Sequence, residues 1–331
     1  MSIKSSKIVY SEDFNPWYNL ALEEYLLANL AEDEIILYLW QNDNTVVIGR
    51  NQNAWKECRC SQLEESNGYL ARRISGGGAV YHDLGNLNFT FLMGRKNYDL
   101  HKQLSVILKA LRNQGIDAEF SGRNDLISGE KKFSGNAFYF GSKKAYHHGT
   151  LLLDSDLETL VKFLEVSEEK IISKGIESVR SKVVNLKSIN EDLKLDILKK
   201  ELAKSFAEVY VEPKEIKSYQ PSTMEELNEL YNKHASWEWR YGAGTEFDII
   251  FENSFAWGQL EIQLNLLKAV IKEVEVYTDS LESSLFIELA ENLKGKKFKK
   301  ENLISALESL NNNYDQNIIS DLKLWFKNRD L

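Results

Sequence analysis

Two arginines and three consecutive glycines mark the part of this chain best suited to chemistry. Residues 70–93 read LARRISGGGAVYHDLGNLNFTFLM. Arg72 and Arg73 carry fixed guanidinium charge of the kind that meets a phosphate or a carboxylate. Gly76, Gly77 and Gly78 forgo side-chain contacts and carry the largest backbone entropy cost, so packing does not explain them. What they permit is close approach of backbone N–H groups to an anion. A plain hinge would also use glycine, but it has no need of Arg-Arg on one flank and Tyr81-His82-Asp83 on the other. The pattern predicts an anion-binding loop mounted on a sheet, followed by a turn at Gly85-Asn86 and an apolar alternation at Leu87, Phe89 and Phe91.

A second stretch, residues 121–153, reads SGRNDLISGEKKFSGNAFYFGSKKAYHHGTLLL. It contributes an amine at Lys132, a carboxylate at Asp125 and an imidazole at His148. By charge counting alone, Lys132 next to Lys131 is a solvated cation on a turn. Asp83 reads equally as an anchor for the Gly85-Asn86 turn or as a site carboxylate, and His148 equally as a buried structural histidine or a site residue.

The elements RRISGGGAVYHDLGN, GRNDL, KFSGNA, HHGTLLL and KGIESVRSKVVNL follow one another in that order from Arg72 to Leu186. Together they closely resemble the lipoate–protein ligases of the biotin/lipoate ligase superfamily. An ordered set of this length is far more specific than a lone G-x-G-x-x-G. The resemblance implies an enzyme that activates lipoate with ATP to lipoyl-AMP, releases pyrophosphate, and passes the lipoyl group to a lysine of an apo lipoyl-domain protein. Acceptors of that class are the glycine-cleavage H protein and the acyltransferase subunits of 2-oxoacid dehydrogenases.

The resemblance also assigns residues. Lys132, immediately before Phe133-Ser134-Gly135, takes the catalytic position, where positive charge lowers the repulsion between a carboxylate and an α-phosphate. Arg73, Ser75, Gly76, Gly77, Gly78, Ala79, Val80, Tyr81, Asn86, His148 and Gly149 are expected, with Lys132, to bind ATP and the lipoyl-adenylate. Asn51, Gln52 and Arg72 are second-rank candidates for the lipoate pocket, and Arg180 belongs to a loop that the family retains. ATP chemistry calls for Mg²⁺, for which Asp125 is the candidate carboxylate. Lipoate enters as substrate, with no permanently bound cofactor expected.

Two rival readings are a thioester-using octanoyl or lipoyl transferase and a non-catalytic lipoate-binding protein. One transferase branch places its cysteine shortly before a His-Gly pair, where this chain has Ala145. Biotin ligases share the superfamily fold, but RRISGGGAVYHD and KFSGNA favour lipoate.

The surrounding chain fits such an enzyme. It has 331 residues, 43% hydrophobic and 27% charged, which predicts an ordinary globular protein of two domains. A net charge of −9 argues against a nucleic-acid partner. Cys58 and Cys60 are too few and too close for a staple or a structural zinc site. No signal core or long apolar run is present, so no membrane association and a cytoplasmic location are expected.

The elements that must hold the site follow from periodicity and turn chemistry. Asn15-Pro16 predicts the start of an amphipathic helix over roughly 16–30. Ile35–Trp40 and Val46–Ile48 read as partner strands across Asn42-Asp43-Asn44. A helix is expected over 99–115, presenting Leu104, Ile107, Leu108 and Leu111 to the core. Phe133–Phe140 and Ala145–Leu153 form a hairpin, and further helices are predicted at 157–164, 167–174, 189–209 and 222–233. The expected fold class is α/β (α+β). A large catalytic domain over 1–242, with mixed, mainly antiparallel sheets flanked by helices, precedes a small α+β accessory domain over 245–331.

Overall fold

Buried apolar runs set the central strands of the larger unit, and shorter, more exposed strands lie at the edges. In chain order the strands are β1 (Ser5–Tyr10), β2 (Glu34–Trp40), β3 (Thr45–Ile48), β4 (Tyr69–Arg72), β5 (Val80–His82), β6 (Asn86–Gly94), β7 (Glu119–Ser121), β8 (Asp125–Ser128), β9 (Lys131–Phe140), β10 (Lys144–Leu152) and β11 (Lys214–Ile216). This computed structural model describes all residues except 1–2, 122–124, 165–182, 217–218, 220–223, 243–246, 279, 281, 311–313 and 330. One sheet runs in the order β11-β1-β2-β6-β10-β9-β8-β7, and a second, small sheet in the order β4-β3-β5. Parallel pairs join β1 to β11, β1 to β2 and β3 to β4; the other pairs are antiparallel. The sheets are therefore mixed and mainly antiparallel, as expected.

The sequence suggests that β2 and β3 pair with each other, and they do not. β2 is buried along its whole length between β1 and β6, whereas β3 lies between β4 and β5. Asn44, at φ 36°, redirects the chain between them. A continuously buried strand belongs in a sheet interior, with strands on both edges and cover on both faces. The small sheet thereby places the glycine loop, between β4 and β5, over the large sheet.

Asn15 caps the Pro16–Ala28 helix by accepting from Trp17 N and Tyr18 N. This helix is buried on nearly every side rather than amphipathic, because it lies between the sheet and the Met224–Ala235 helix. Across the large sheet, Leu100–Arg112 and Leu195–Val209 pack on Phe89, Phe91 and Met93. Leu104, Ile107 and Leu111 are buried there, with Leu108 at the margin. The Lys131–Phe140 and Lys144–Leu152 strands form the expected hairpin. The helix predicted at 167–174, and Arg180, lie outside the described residues.

A separate apolar core belongs to the C-terminal unit. β12 (Phe247–Phe255), β13 (Gly258–Leu267) and β14 (Val270–Thr278) form an antiparallel meander, backed by helices Ser283–Leu293, Lys300–Glu308 and Gln316–Lys327. Leu260, Ile262 and Leu264 alternate into its core with the period of two of a half-buried strand. Among the described residues, no helix is long and apolar enough to cross a membrane.

Candidate functional site

The glycine loop is held from below by its neighbours' backbone. Arg50 N donates to Ser75 O at 2.9 Å and Arg73 N to Ile48 O at 3.0 Å. Gly77 adopts φ +89°, a conformation that favours glycine. Gly49 approaches so closely that a Cβ there would lie 2.2 Å from Gly77 O.

Arg73 shapes this loop. Its Nε donates to Ser75 Oγ and Gly76 O, one terminal nitrogen to Val47 O, and the other to Gly76 O and Gly78 O at 2.7 Å each. Carbonyl and N–H of one peptide unit point in opposite directions, so pinning the carbonyls on Arg73 turns the following N–H groups away from it. Burial lowers the Arg73 pKa to about 10, which leaves it charged at neutral pH. The expected direct phosphate ligand is thus a buried cation that organises the loop, although it lines the cavity too.

Arg72 faces elsewhere, and its assignment to the lipoate pocket is corrected. It is fully buried, and it donates to Trp239 O and Arg240 O on one side and to Gly49 O, Arg50 O and Gln52 O on the other. Strand neighbours point to opposite faces, so adjacent arginines do not share a pocket. Asn51 is exposed and Gln52 Oε1 accepts from Gly49 N, so both belong to the loop's outer support rather than the cavity wall.

The cavity spans the large sheet under the loop. It is walled by Arg73, Gly77, Gly78, Ala79 and Val80 above, and by Lys132, Asp125, His148 and Gly149 from the sheet. The side chain of Tyr81 alternates away from it, packing on Phe163 and donating to Asn44 Oδ1. Gly76 sits on the exposed rim. Ser75 and Asn86 are buried one layer behind the wall, bonded to His148 and Asn88 respectively.

Lys132 and Lys131 separate as adjacent residues on a strand should. Lys132 lines the cavity with its ammonium 2.8 Å from Asp125 Oδ1, while Lys131 is exposed. A Cβ on Gly135 would lie 3.2 Å from Lys132 Nζ, so the glycine of the K-F-S-G run leaves room for the lysine to lie across it. Asp125 is the one carboxylate among the described cavity-lining residues. The described residues contain no cluster of three or more His, Cys, Asp or Glu able to hold a metal. Mg²⁺ is bound through one or two carboxylates plus substrate phosphates, so this sparse donor set fits it.

His148 is fixed on two sides. Its Nδ1 lies 2.9 Å from Glu23 Oε1 and its Nε2 2.8 Å from Ser75 Oγ. Glu23 also accepts from Thr90 Oγ1, which in turn accepts from Trp40 Nε1. Asp83 proves to be a turn anchor, accepting from Gly85 N and Asp156 N. Glu23 was not legible as a site residue, since it comes from a helix with no chemical motif of its own. Leu20, Trp40, Val47 and Asn88, which lie outside the motifs and are brought in by folding alone, complete the lining with His82, Gly135, Asn136, Ala137 and Thr150, which lie within the motifs but carry no signal that singles them out as cavity residues.

Where a thioester-forming cysteine would stand, Ala145 is buried in the core. Cys58 and Cys60 are not joined in a disulfide and are buried in a different cluster, around Leu63, Leu70 and Tyr241. The cavity therefore offers cations and backbone, with no thiol nucleophile among its described lining residues.

Comparison with known proteins agrees with this geometry. Residues 15–207 match the lipoyl protein ligase A/B catalytic domain, and residues 244–326 match the bacterial lipoate protein ligase C-terminus. The chain is 39% identical to lipoate-protein ligase A of Psychrobacter cryohalolentis over 92% of each chain. It is 37% identical to lipoate-protein ligase A of Blochmanniella floridana over 94% of each. Among solved structures, P. falciparum LipL1 in complex with lipoate matches at TM-score 0.64 and 30% identity, covering 98% of this chain and 100% of that one. A bipartite lipoate protein ligase with its E2 lipoyl domain, from Thermoplasma acidophilum, matches at TM-score 0.66 and 28% identity, over 72% and 97%. A lipoate-protein ligase A bound with ATP matches at TM-score 0.64 and 26% identity, over 72% and 99%. On both its catalytic and its C-terminal portion, this chain belongs to the lipoate–protein ligase family.

Proposed function

We propose that this ligase works through an acyl-adenylate, with each chemical demand met by a named part of the cavity. Lipoate and ATP bind beneath the glycine loop. The N–H groups between Gly77 and Val80 receive phosphate oxygens, as a backbone nest does. Arg73 keeps those groups aimed and adds buried positive charge.

Lys132 stands where the carboxylate of lipoate meets the α-phosphate. Both partners are anionic, so its ammonium reduces their repulsion and stabilises the charge that develops as the carboxylate attacks phosphorus and pyrophosphate leaves. Asp125 would hold Mg²⁺, which when bound neutralises charge on the triphosphate. In the second half-reaction an acceptor lysine attacks the mixed anhydride, and AMP leaves. Lys132 then stays beside the carbonyl and phosphate oxygens. His148, held by Glu23 and Ser75, keeps a fixed polar contact on the same wall.

The acceptor is an apo lipoyl-domain protein, either a glycine-cleavage H protein or an acyltransferase subunit of a 2-oxoacid dehydrogenase. The E2 lipoyl domain that accompanies the T. acidophilum ligase favours the second. The catalytic unit spans 1–242 and the accessory unit 245–331, a division supported by their separate apolar cores. A cytoplasmic location follows from an intracellular pool of ATP and acceptor.

The observation that carries this reading is Lys132 facing the glycine loop across a cavity whose described lining has no cysteine. The test offers an apo lipoyl domain either lipoate with ATP or octanoyl carrier protein without nucleotide. Modification only in the first mixture is expected; modification only in the second would establish a thioester transferase. Lipoate binding with modification in neither would leave a non-catalytic binder.

A further inference from the structure

His82, at the end of β5, has one ring nitrogen satisfied and the other not. Its Nδ1 lies 3.1 Å from Asn42 Nδ2 and 3.4 Å from Asn88 Nδ2. The orientations of both amides are set from behind: Asn42 Oδ1 accepts from Asn19 Nδ2 at 3.0 Å, and Asn88 Oδ1 from Asn86 Nδ2 at 2.9 Å. Two donors facing Nδ1 make it an acceptor, so the proton of the neutral ring sits on Nε2. Burial first, then Arg73 and His148, lower the ring's pKa to about 3 and keep it neutral. The residue is 3% exposed, yet Nε2 has no partner among the described residues. A buried N–H without an acceptor is unfavourable and points to a missing partner.

The position of the ring identifies that partner. His82 meets Trp40 edge-on, with centroids 6.1 Å apart, and both line the cavity alongside Leu20 and Val47. Lys132 enters the same cavity from β9. Between β2, which carries Trp40, and β9 lie β6 and β10, so the two ends are three strand spacings apart, about 14 Å. An acid whose carboxylate rests at Lys132 therefore brings its far end to His82.

We propose that His82 is a specificity-determining residue whose Nε2–H donates to an acceptor atom at the distal end of the acid, which in lipoate is a dithiolane sulfur. The proposal rests on the lipoate reading of the site. A plain alkyl end, as in octanoate, covers this donor without satisfying it. Sites built around a hydrogen bond reject analogues that lack the acceptor more effectively than an apolar wall rejects a similar shape. Sulfur is a weak acceptor, so the discrimination is modest, about fivefold.

Calorimetric titration of the full chain tests this with lipoate, octanoate and 5-cyclopentylpentanoate, in which both sulfurs are replaced by carbon at nearly constant shape. Wild type should bind lipoate about fivefold more tightly than the cyclopentyl acid, although the latter is the more apolar. In His82→Phe, which keeps the ring against Trp40, the two acids should bind alike, while His82→Gln, which keeps an N–H, should retain most of the preference. Equal affinities on wild type overturn the proposal without recourse to any variant. So does a folded His82→Phe that keeps the preference, or one that loses ATP affinity instead, which would assign the donor to the nucleotide. Wild type that binds none of the acids overturns the lipoate reading itself, a result distinct from equal binding.

Discussion

Lys132 Nζ and Asp125 Oδ1 stand 2.8 Å apart across β8 and β9, with each side chain 40% exposed. An ion pair this open to water contributes roughly 0–1 kcal/mol. An arriving anion can therefore replace Asp125 as the partner of the lysine with little loss, and the lysine is already directed over Gly135 when it does.

Asp125→Asn separates the two roles of this carboxylate. Thermal stability should change by less than about 1 kcal/mol, given the exposure of the pair. Activity should require several-fold more Mg²⁺ for half-saturation, read from pyrophosphate release over a Mg²⁺ titration. An unchanged Mg²⁺ profile would leave Asp125 as a partner of Lys132 alone.

Gly49→Ala tests the underside of the glycine loop. Its Cβ would sit 2.2 Å from Gly77 O, so the loop has to move. Overpacking of this kind costs roughly 1–3 kcal/mol, and a displaced anion nest should raise KM for ATP by about tenfold. Unaltered ATP saturation in this variant would mean that the loop backbone does not hold the nucleotide.

Stability should fall in mild acid, partly through His82. Its folded pKa of about 3 lies below the ordinary 6.5, so the unfolded chain binds more protons between those values. The contribution is complete above about pH 6.5 and is lost as pH falls toward 3, at up to about 1.4 kcal/mol per pH unit. Urea unfolding at pH 7, 6 and 5 should show wild type losing more stability than His82→Gln. Parallel losses would contradict the assignment.

Much of the site was readable from order and type of residue, and the rest was hidden for specific reasons. The separation of Lys132 from Lys131 follows from strand alternation, and the glycine loop from the impossibility of explaining three glycines by packing. Arg72 was misread because the carbonyls that claim it, on Trp239 and Arg240, are more than 160 residues away in sequence. The false pairing of β2 with β3 came from a short connection that looks like a hairpin turn, whereas full burial of β2 demanded strands on both sides. Glu23 and Thr90 carry no motif and acquire meaning only when helix and sheet meet His148.

Aromatic and polar side chains meet at the junction between the two units. Trp55 packs edge-on to Phe298 at 5.0 Å, Leu331 N donates to Ser61 Oγ at 3.1 Å, and Lys297 pairs with Glu238. An active site that first admits ATP and later a whole protein needs such a junction to yield. Small-angle scattering with and without a non-hydrolysable lipoyl-adenylate analogue should differ. Superimposable curves would count against movement of the accessory unit.

The central claim is that Lys132 stabilises the adenylation transition state, and its neighbour supplies the control. Lipoate-dependent pyrophosphate release should be measured for Lys132→Leu and Lys131→Leu, with melts confirming that both are folded. Loss of the cavity ammonium should remove about 3 kcal/mol or more of transition-state stabilisation, at least a hundredfold in rate. Loss of the exposed Lys131 should leave the rate within about twofold, as for a solvated surface charge. Equal losses in the two variants, or a folded Lys132→Leu that releases pyrophosphate at the wild-type rate, would contradict the account.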